Sequence, residues 1–446
     1  EGYIGSLPAT TITSVPTAAE RTGDFSALLA LGPAYQLYNP FTATQSGTQV
    51  VRTAIPGNVL SNAGLHVNPI AQAYFKYIPL PNYNGPSTKP DGSNNYFVND
   101  PTTNNYKSHQ GRIDYNVTNS NKIFFELHRS NSVVTQSNVF GNKASGTNGR
   151  VVLWGGTVDD VQNMSTTLYL NTRLGFSRSE NTSNPNSIGT DPATLGFPSY
   201  ISTNSLSYAI PRLTFSDSAP IPSISSAPGN RAYFDTIQFF ASLNKTWGHH
   251  TIKIGPDIRL NKNSVLSPGN ASGTYSFSAS GTDFVTSGTK GAAQPFGNTL
   301  ALLALGLPTG GSYDVNTRFQ YNNWYIGTFI QDDWKMLPNL TVSVGLRVEH
   351  ETPIVESGNK MTIGWDPTLT NAITAASAAA YAAHPNAILP VSAFSAKGGL
   401  LYASPSHRHA YSTAPAYLSP RLGIAYSPEF SHGKMAIRAG FGIYDN

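Results

Sequence analysis

A few side chains in this sequence stand in spacings that chemistry uses. His249-His250 sets two imidazoles side by side, Glu349-His350-Glu351 sets two carboxylates around another, and Asp332-Asp333 pairs two carboxylates. Imidazole and carboxylate are ligands of zinc and similar cations. Asp91-Gly92-Ser93-Asn94-Asn95 has the oxygen-rich make-up of a calcium loop, and equally that of a plain turn. Geometry argues against most of these as joint sites. On an extended chain successive side chains point to opposite faces, so His350 turns away from both glutamates and Asp332 from Asp333. His249-His250 lacks a further ligand in suitable spacing. No GxSxG, Walker loop, GxGxxG or HExxH occurs. Serine is plentiful, but no context supports a Ser/His/Asp triad. The absence of cysteine removes disulfides, thiolate metal sites and cysteine nucleophiles. The expectation is a protein that is not an enzyme and that holds no metal or other cofactor.

A more systematic set of charges lies at alternate positions of strand-like runs. In Thr328–Glu351, Val342, Val344, Leu346 and Val348 fall on one side, and Arg347 and Glu349 on the other. The same split sets Ile113, Tyr115 and Val117 against Arg112 and Asp114, and Ile123, Phe125 and Leu127 against Glu126 and His128. Leu168, Leu170, Leu174 and Phe176 oppose Arg173, while Ile252, Ile254, Ile258 and Leu260 oppose Lys253, Asp257 and Arg259. Arg421 and Arg438 complete the set. A period of two is the mark of a strand with unlike faces. In a soluble sandwich the aliphatic face would pack on a second sheet. In a membrane barrel it would face lipid, and the twelve charges would line a wet lumen. There they would pair across strands, or some would contact a polar solute.

The elements that must carry these charges read as a series of hairpins. They cover 110–133, 234–263, 324–351 and 419–444, with a further strand at 163–178 and a short one at 274–284. Helices are expected at Asn68–Tyr77, where Pro69 suits a first turn, at Pro295–Leu305 and at Asn371–Ala383. Residues 1–105, rich in Pro and Gly, read as a loop-rich entry segment. Residues 106–446 read as a barrel region with long loops near 180–230 and 352–418. Only 12% of the 446 residues are charged, 11% are aromatic, and 40 are Gly, which fits a β protein with long loops rather than a helical enzyme. The net charge of +4 comes with no basic run, so nucleic acid is not expected as a partner. No apolar run of about 18 residues occurs, so no transmembrane helix is expected. Short turns alternating with long loops favour an all-β, large antiparallel transmembrane barrel, here partial. Trp154, Trp247, Trp324, Trp334 and Trp365 suit interfacial girdles, or stacking on sugars.

A set of motifs then gives a resemblance. RTGDFSALL (Arg21–Leu29), YNPFT (Tyr38–Thr42), IPGNVL (Ile55–Leu60) and YIPLPN (Tyr77–Asn82) precede GRIDYNVTNSNKIFF (Gly111–Phe125) and HHTIKIGPDIR (His249–Arg259). LLALGLP (Leu302–Pro308), FIQDDWKMLPNLTVSVGLRVE (Phe329–Glu349), SPRLGIAYSP and AIRAGFGIYD follow. In this order, over nearly the whole chain, they resemble the barrel region of Oar-like TonB-dependent outer-membrane receptors of acidobacterial type. The resemblance implies location in the bacterial outer membrane, contact with its lipid, and binding or import of a bulky nutrient of the oligosaccharide or peptide class. It also implies a TonB complex as partner, through N-terminal parts. No TonB box, regulatory-like domain, plug or closing terminal strand is recognisable here, so the chain reads as a barrel fragment. The alternative is a non-transport surface protein, structural, adhesive or filament-forming, on the same β framework.

Overall fold

Two-faced strands joined by tight turns dictate hairpins, and eleven strands follow one another in a single antiparallel sheet. The computed structural model describes the chain except residues 48, 137, 217–219, 283–284, 287–295, 432–434 and 445–446. The strands are β1 (Gly2–Leu7), β2 (Thr102–Thr118), β3 (Asn121–Gln136), β4 (Thr147–Ser165), β5 (Leu168–Pro185), β6 (Arg231–Trp247), β7 (His250–Leu266), β8 (Phe319–Leu337), β9 (Leu340–Glu351), β10 (Tyr417–Tyr426) and β11 (Ile437–Gly442). They pair in chain order, and Val355–Glu356 adds a twelfth short strand on β8. The links β2–β3, β4–β5, β6–β7 and β8–β9 are two residues each, and with the ten-residue β10–β11 link they lie at one end of the sheet. The β6–β7 turn shows why: Gly248 at φ 57° fills the first central position of a two-residue turn, a place that favours glycine.

Long connections leave from the opposite end. They span 8–101, 137–146, 186–230, 267–318 and 352–416. The first four share one hydrophobic core. Val15, Phe25, Leu28, Leu37, Ile55, Tyr74, Phe140, Leu195, Ile210, Phe277 and the whole of the helix Asn298–Leu305 are buried in it. Among the described residues, the eleven strands contribute two buried apolar side chains, Val152 and the terminal Pro185. The sheet therefore has no core of its own, and the buried apolar mass is a cap built from its connections.

Several sequence motifs are structural parts of this cap. The Arg21 guanidinium donates to the carbonyls of Pro16 (3.1 Å), Phe75 (3.0 Å), Ile78 (2.8 Å) and Pro79, clamping RTGDF onto YIPLPN. Asn58 of IPGNVL accepts from the Leu37 N–H at 2.8 Å and donates to the Tyr35 carbonyl at 2.7 Å. Both motifs satisfy backbone groups that would otherwise be buried without partners.

Some expectations need correction. The 163–178 run is not one strand: the chain reverses at Thr166-Thr167, where Thr167 N–H donates to the Ser165 hydroxyl at 3.2 Å. Two β-branched residues at the turn hide it in the sequence. The strand β4 is not among those assigned from the sequence, and β5 extends into the loop expected from 180. Residues 1–105 hold the edge strand β1 and the start of β2, so 8–101 is a connection of the same kind as the others. The helix at 68 runs Pro69–Phe75 with Asn68 capping the Ile70 N–H, and the alanine-rich one runs Thr374–Ala383. Phe284 and Pro295, which bound expected elements, lie outside the described residues, as does Lys434 within the last expected hairpin.

Candidate functional site

Residues directly opposite in an antiparallel pair point to the same face. Following the register across the sheet puts all twelve alternating charges on one face. Arg112 lies opposite Glu126, and His128 opposite Gln110. Glu126 faces Thr157, whose neighbour on that face, Asp159, is opposite Arg173. Arg173 meets Phe240, and Phe240 meets Asp257. Lys253 and Arg259 share the Asp257 side of β7, opposite Gln331 and Tyr325. Phe329 continues to Arg347, Gly327 to Glu349, Gly345 to Arg421, and Ala425 to Arg438.

Three polar clusters occupy this face. Arg112 holds Asp114 at 2.8 Å, Lys122 reaches the same carboxylate at 3.2 Å, and Gln110 holds Glu126 at 3.0 Å. Asp159, almost fully buried, takes Arg173 at 2.7 Å and Asn171 at 2.7 Å. The third spans five strands. Asp257, also buried, accepts from Arg259 (2.6 Å), Arg347 (3.1 Å) and Gln238 (2.8 Å). Arg347 also reaches Glu349 at 2.9 Å, and Glu349 accepts from Tyr325 and from Ser419. Lys253 and Arg421 make no ion pair among the described residues; they line a depression of about 180 Å³ with Phe240, Phe329 and Arg347, where Gly345 leaves room. His128 and Arg438 stand apart from these clusters. Sequence reasoning missed Lys122, Asp159, Asn171, Gln238, Tyr325 and Ser419. The alternation of Lys122 with Ile123 was a usable signal; Asp159 lay in an unassigned strand, and the neutral residues carry no signature.

The opposite face is apolar and lacks a protein partner among the described residues. Ile113 (69% exposed), Leu174 (56%), Val344 (54%), Ile254 and Leu422 all lie on it uncovered. On β7 this band runs from Ile252 to Leu260, nine residues, the usual length of a transmembrane strand. Trp247 and Trp334 sit at the short-turn margin, and Trp154 and Trp324 toward the long connections. Beyond Trp324 the same face turns polar: Lys262 lies opposite Asp235 and Asn322. Trp365 is a correction, for it lies in the hairpin Thr362–Asp366/Gly399–Tyr402 within the 352–416 connection, away from either girdle.

The remaining candidates resolve into local structure. His250 pairs with Asp332 at 2.7 Å and stacks on Trp334 at 5.6 Å, on the lipid-type face near its margin. His350 turns from Glu349 and Glu351 to the Ala414 carbonyl at 3.1 Å. Asp91 accepts from the Ser93 N–H at 3.0 Å, an Asx turn. Among the described residues no three or more His, Asp or Glu converge as a metal site. Among them, too, no helix is long and apolar enough to cross a membrane.

A wide antiparallel sheet with an uncovered apolar face, a paired polar face and aromatic margins is the wall of a transmembrane β-barrel. The family comparison agrees over residues 1–446, and the chain belongs to the outer membrane beta barrel domain family, in the bacterial outer membrane. Solved structures similar to it include the copper transporter OprC (11% identity, TM-score 0.38, covering 77% of this chain and 37% of that one). The outer membrane transporter YddB from Escherichia coli has 10% identity and a TM-score of 0.40, over 79% of this chain and 33% of that one. BauA, the ferric preacinetobactin receptor from Acinetobacter baumannii, has 9% identity and a TM-score of 0.33, over 74% and 40%. The chain spans well under half the length of each. No curated protein matches it.

Proposed function

We propose that this chain is part of the wall of an Oar-like, TonB-dependent outer-membrane receptor or transporter, and that its polar face borders the path of a bulky polar nutrient of the oligosaccharide or peptide class. The observation that supports this is the gathering of all twelve alternating charges on one face while the other stays apolar and uncovered. Only a wet interior and a lipid exterior satisfy both faces at once. In this reading TonB engages segments other than this wall, and the wall itself does no covalent chemistry.

The absence of cysteine makes a direct test simple. Gln331→Cys and Ile330→Cys sit on adjacent positions of β8 and opposite faces. In native outer-membrane vesicles, a water-soluble maleimide of low mass is expected to modify the Gln331→Cys variant readily and the Ile330→Cys variant at least roughly tenfold more slowly. A fluorophore attached to the Ile330→Cys variant is expected to be quenched by lipid-borne nitroxide. Equal modification of the two variants by the aqueous reagent would remove the membrane-wall reading. A correct face pattern without solute uptake by the parent protein would favour the surface structural or adhesive alternative.

A further inference from the structure

The cap encloses a pocket that the barrel wall does not explain. It holds about 280 Å³ and lies where three long connections meet, between the helix Pro69–Phe75, residues 197–200, the strand Thr274–Ser278 and the end of the helix Asn298–Leu305. Its walls are aromatic. Phe197 stacks on Tyr275 at 5.4 Å and meets Tyr74 edge-on at 6.2 Å, while Tyr200 at the mouth is 55% exposed and packs edge-on with Tyr313. Among the described residues no charged one lines it. The Tyr74 hydroxyl donates to the Pro211 carbonyl at 2.8 Å. The Tyr200 and Tyr275 hydroxyls have no hydrogen-bond partner among the described residues. Burial raises the Tyr275 phenol above its ordinary value, and the nearby Tyr200 and Tyr313 phenols add to this. At neutral pH a ligand therefore meets the Tyr275 hydroxyl in its neutral form on aromatic walls.

These features select a ligand class by exclusion. An ion would lose its hydration here and find no counter-charge. A plain hydrocarbon would fill the walls but leave the half-buried Tyr275 phenol dehydrated and unpaired. A flat ring with C–H groups on its face and hydroxyls at its edge satisfies both, and the volume, at the lower end of small-molecule sites, admits one such ring. We infer that this pocket binds a single neutral pyranose unit, presented at the outer end of the wall. The inference gives a substrate class to the import function proposed above and rests on that reading for its biological sense.

The test is equilibrium binding to the full chain in detergent, by calorimetry and saturation-transfer NMR. The probes are methyl glucoside, galactoside and mannoside and their short neutral oligomers, with oligogalacturonate and N-acetylphenylalanine amide as charged and aromatic comparisons. At least one neutral glycoside is expected to bind, with oligogalacturonate roughly tenfold weaker or more. Tyr275→Phe keeps the ring and is expected to weaken binding roughly threefold to tenfold. Tyr200→Ala, at an exposed site that spares the fold, is expected to weaken it about tenfold. The inference is overturned if no neutral glycoside binds, if both variants bind as the parent does, or if either comparison probe binds as tightly. Because binding in detergent needs neither lipid nor transport, its failure is separable from failure of the wall reading, which the paired cysteine variants report.

Discussion

Asp257 carries much of the organisation of the inner face. Its side chain is 4% exposed, and Arg259, Arg347 and Gln238 all donate to it. Removing it takes one of two carboxylates from the Arg347 guanidinium, leaving Glu349, and takes the carboxylate partner from Arg259. Asp257→Ala is expected to destabilise the folded protein by about 2–4 kcal/mol, read as a lower midpoint for the heat-dependent gel shift. Arg259→Ala, whose side chain is 41% exposed, is expected to cost under about 1 kcal/mol. Glu356, outside the apolar band, gives a pH prediction. Burial alone would raise its pKa, but the N–H groups of Gln320 (3.3 Å), Gly358 (2.9 Å) and Lys360 (2.7 Å) donate to it and hold it below its usual value of 4.5. A depressed carboxylate stabilises above its unfolded pKa and loses that contribution as pH falls through the folded one. Hydrogen-exchange protection at Gly358 and Lys360 is therefore expected to decline below about pH 4.5 in the parent, and to be low and independent of pH in Glu356→Gln. The twelve charges were legible from the sequence because each lies in a clean alternation. Most of their partners outside the twelve were not: Tyr325 and Gln238 are neutral, and Asp159 belongs to a strand that the sequence left unassigned.

At the scale of the element, each strand is defined by which face a position takes. Leu346 lies opposite Ile330 and Pro420 on the apolar face. Leu346→Arg is expected to cost about 2–4 kcal/mol, the usual penalty for a cation near the bilayer midplane. Ser343→Arg, on the polar face beside Asp333, is expected to cost far less. Urea titration of protein refolded into lipid vesicles measures the difference, and equal costs would contradict the face assignment. Hairpins with a glycine or Pro-Asn turn were readable in advance. The β4–β5 hairpin was not, since Thr166-Thr167 reads as strand and its turn depends on a serine hydroxyl capping the backbone.

At the scale of the whole molecule, the long connections divide into two kinds. Four of them bury a common core. The fifth, 352–416, buries no residue of its helix Thr374–Ala383 and exposes Ile373, Ile388 and Leu400. Limited proteolysis of vesicle-embedded protein is expected to cut first between residues 370 and 410 and to leave 8–101 intact, because few buried contacts hold the former. Arg21→Ala, which frees four carbonyls at once, is expected to make 8–101 cleavable while leaving the barrel's gel shift unchanged. As described, the edges of the sheet are β1 and β11.

The sequence by itself determined most of the long strands, the faces of their alternating residues and the sign of the environment each face requires. All of these follow from a period of two, which is local and needs no knowledge of neighbours. The tertiary structure alone decided the cap. Tyr74 bonds the carbonyl of Pro211, 137 residues away, and Phe197 stacks on Tyr275. Contacts of that range leave no period in an irregular chain. Loops rich in Pro, Gly and Asn look alike whether they hang free or close over a pocket; which they do depends on the apolar side chains that other connections bring to the same place.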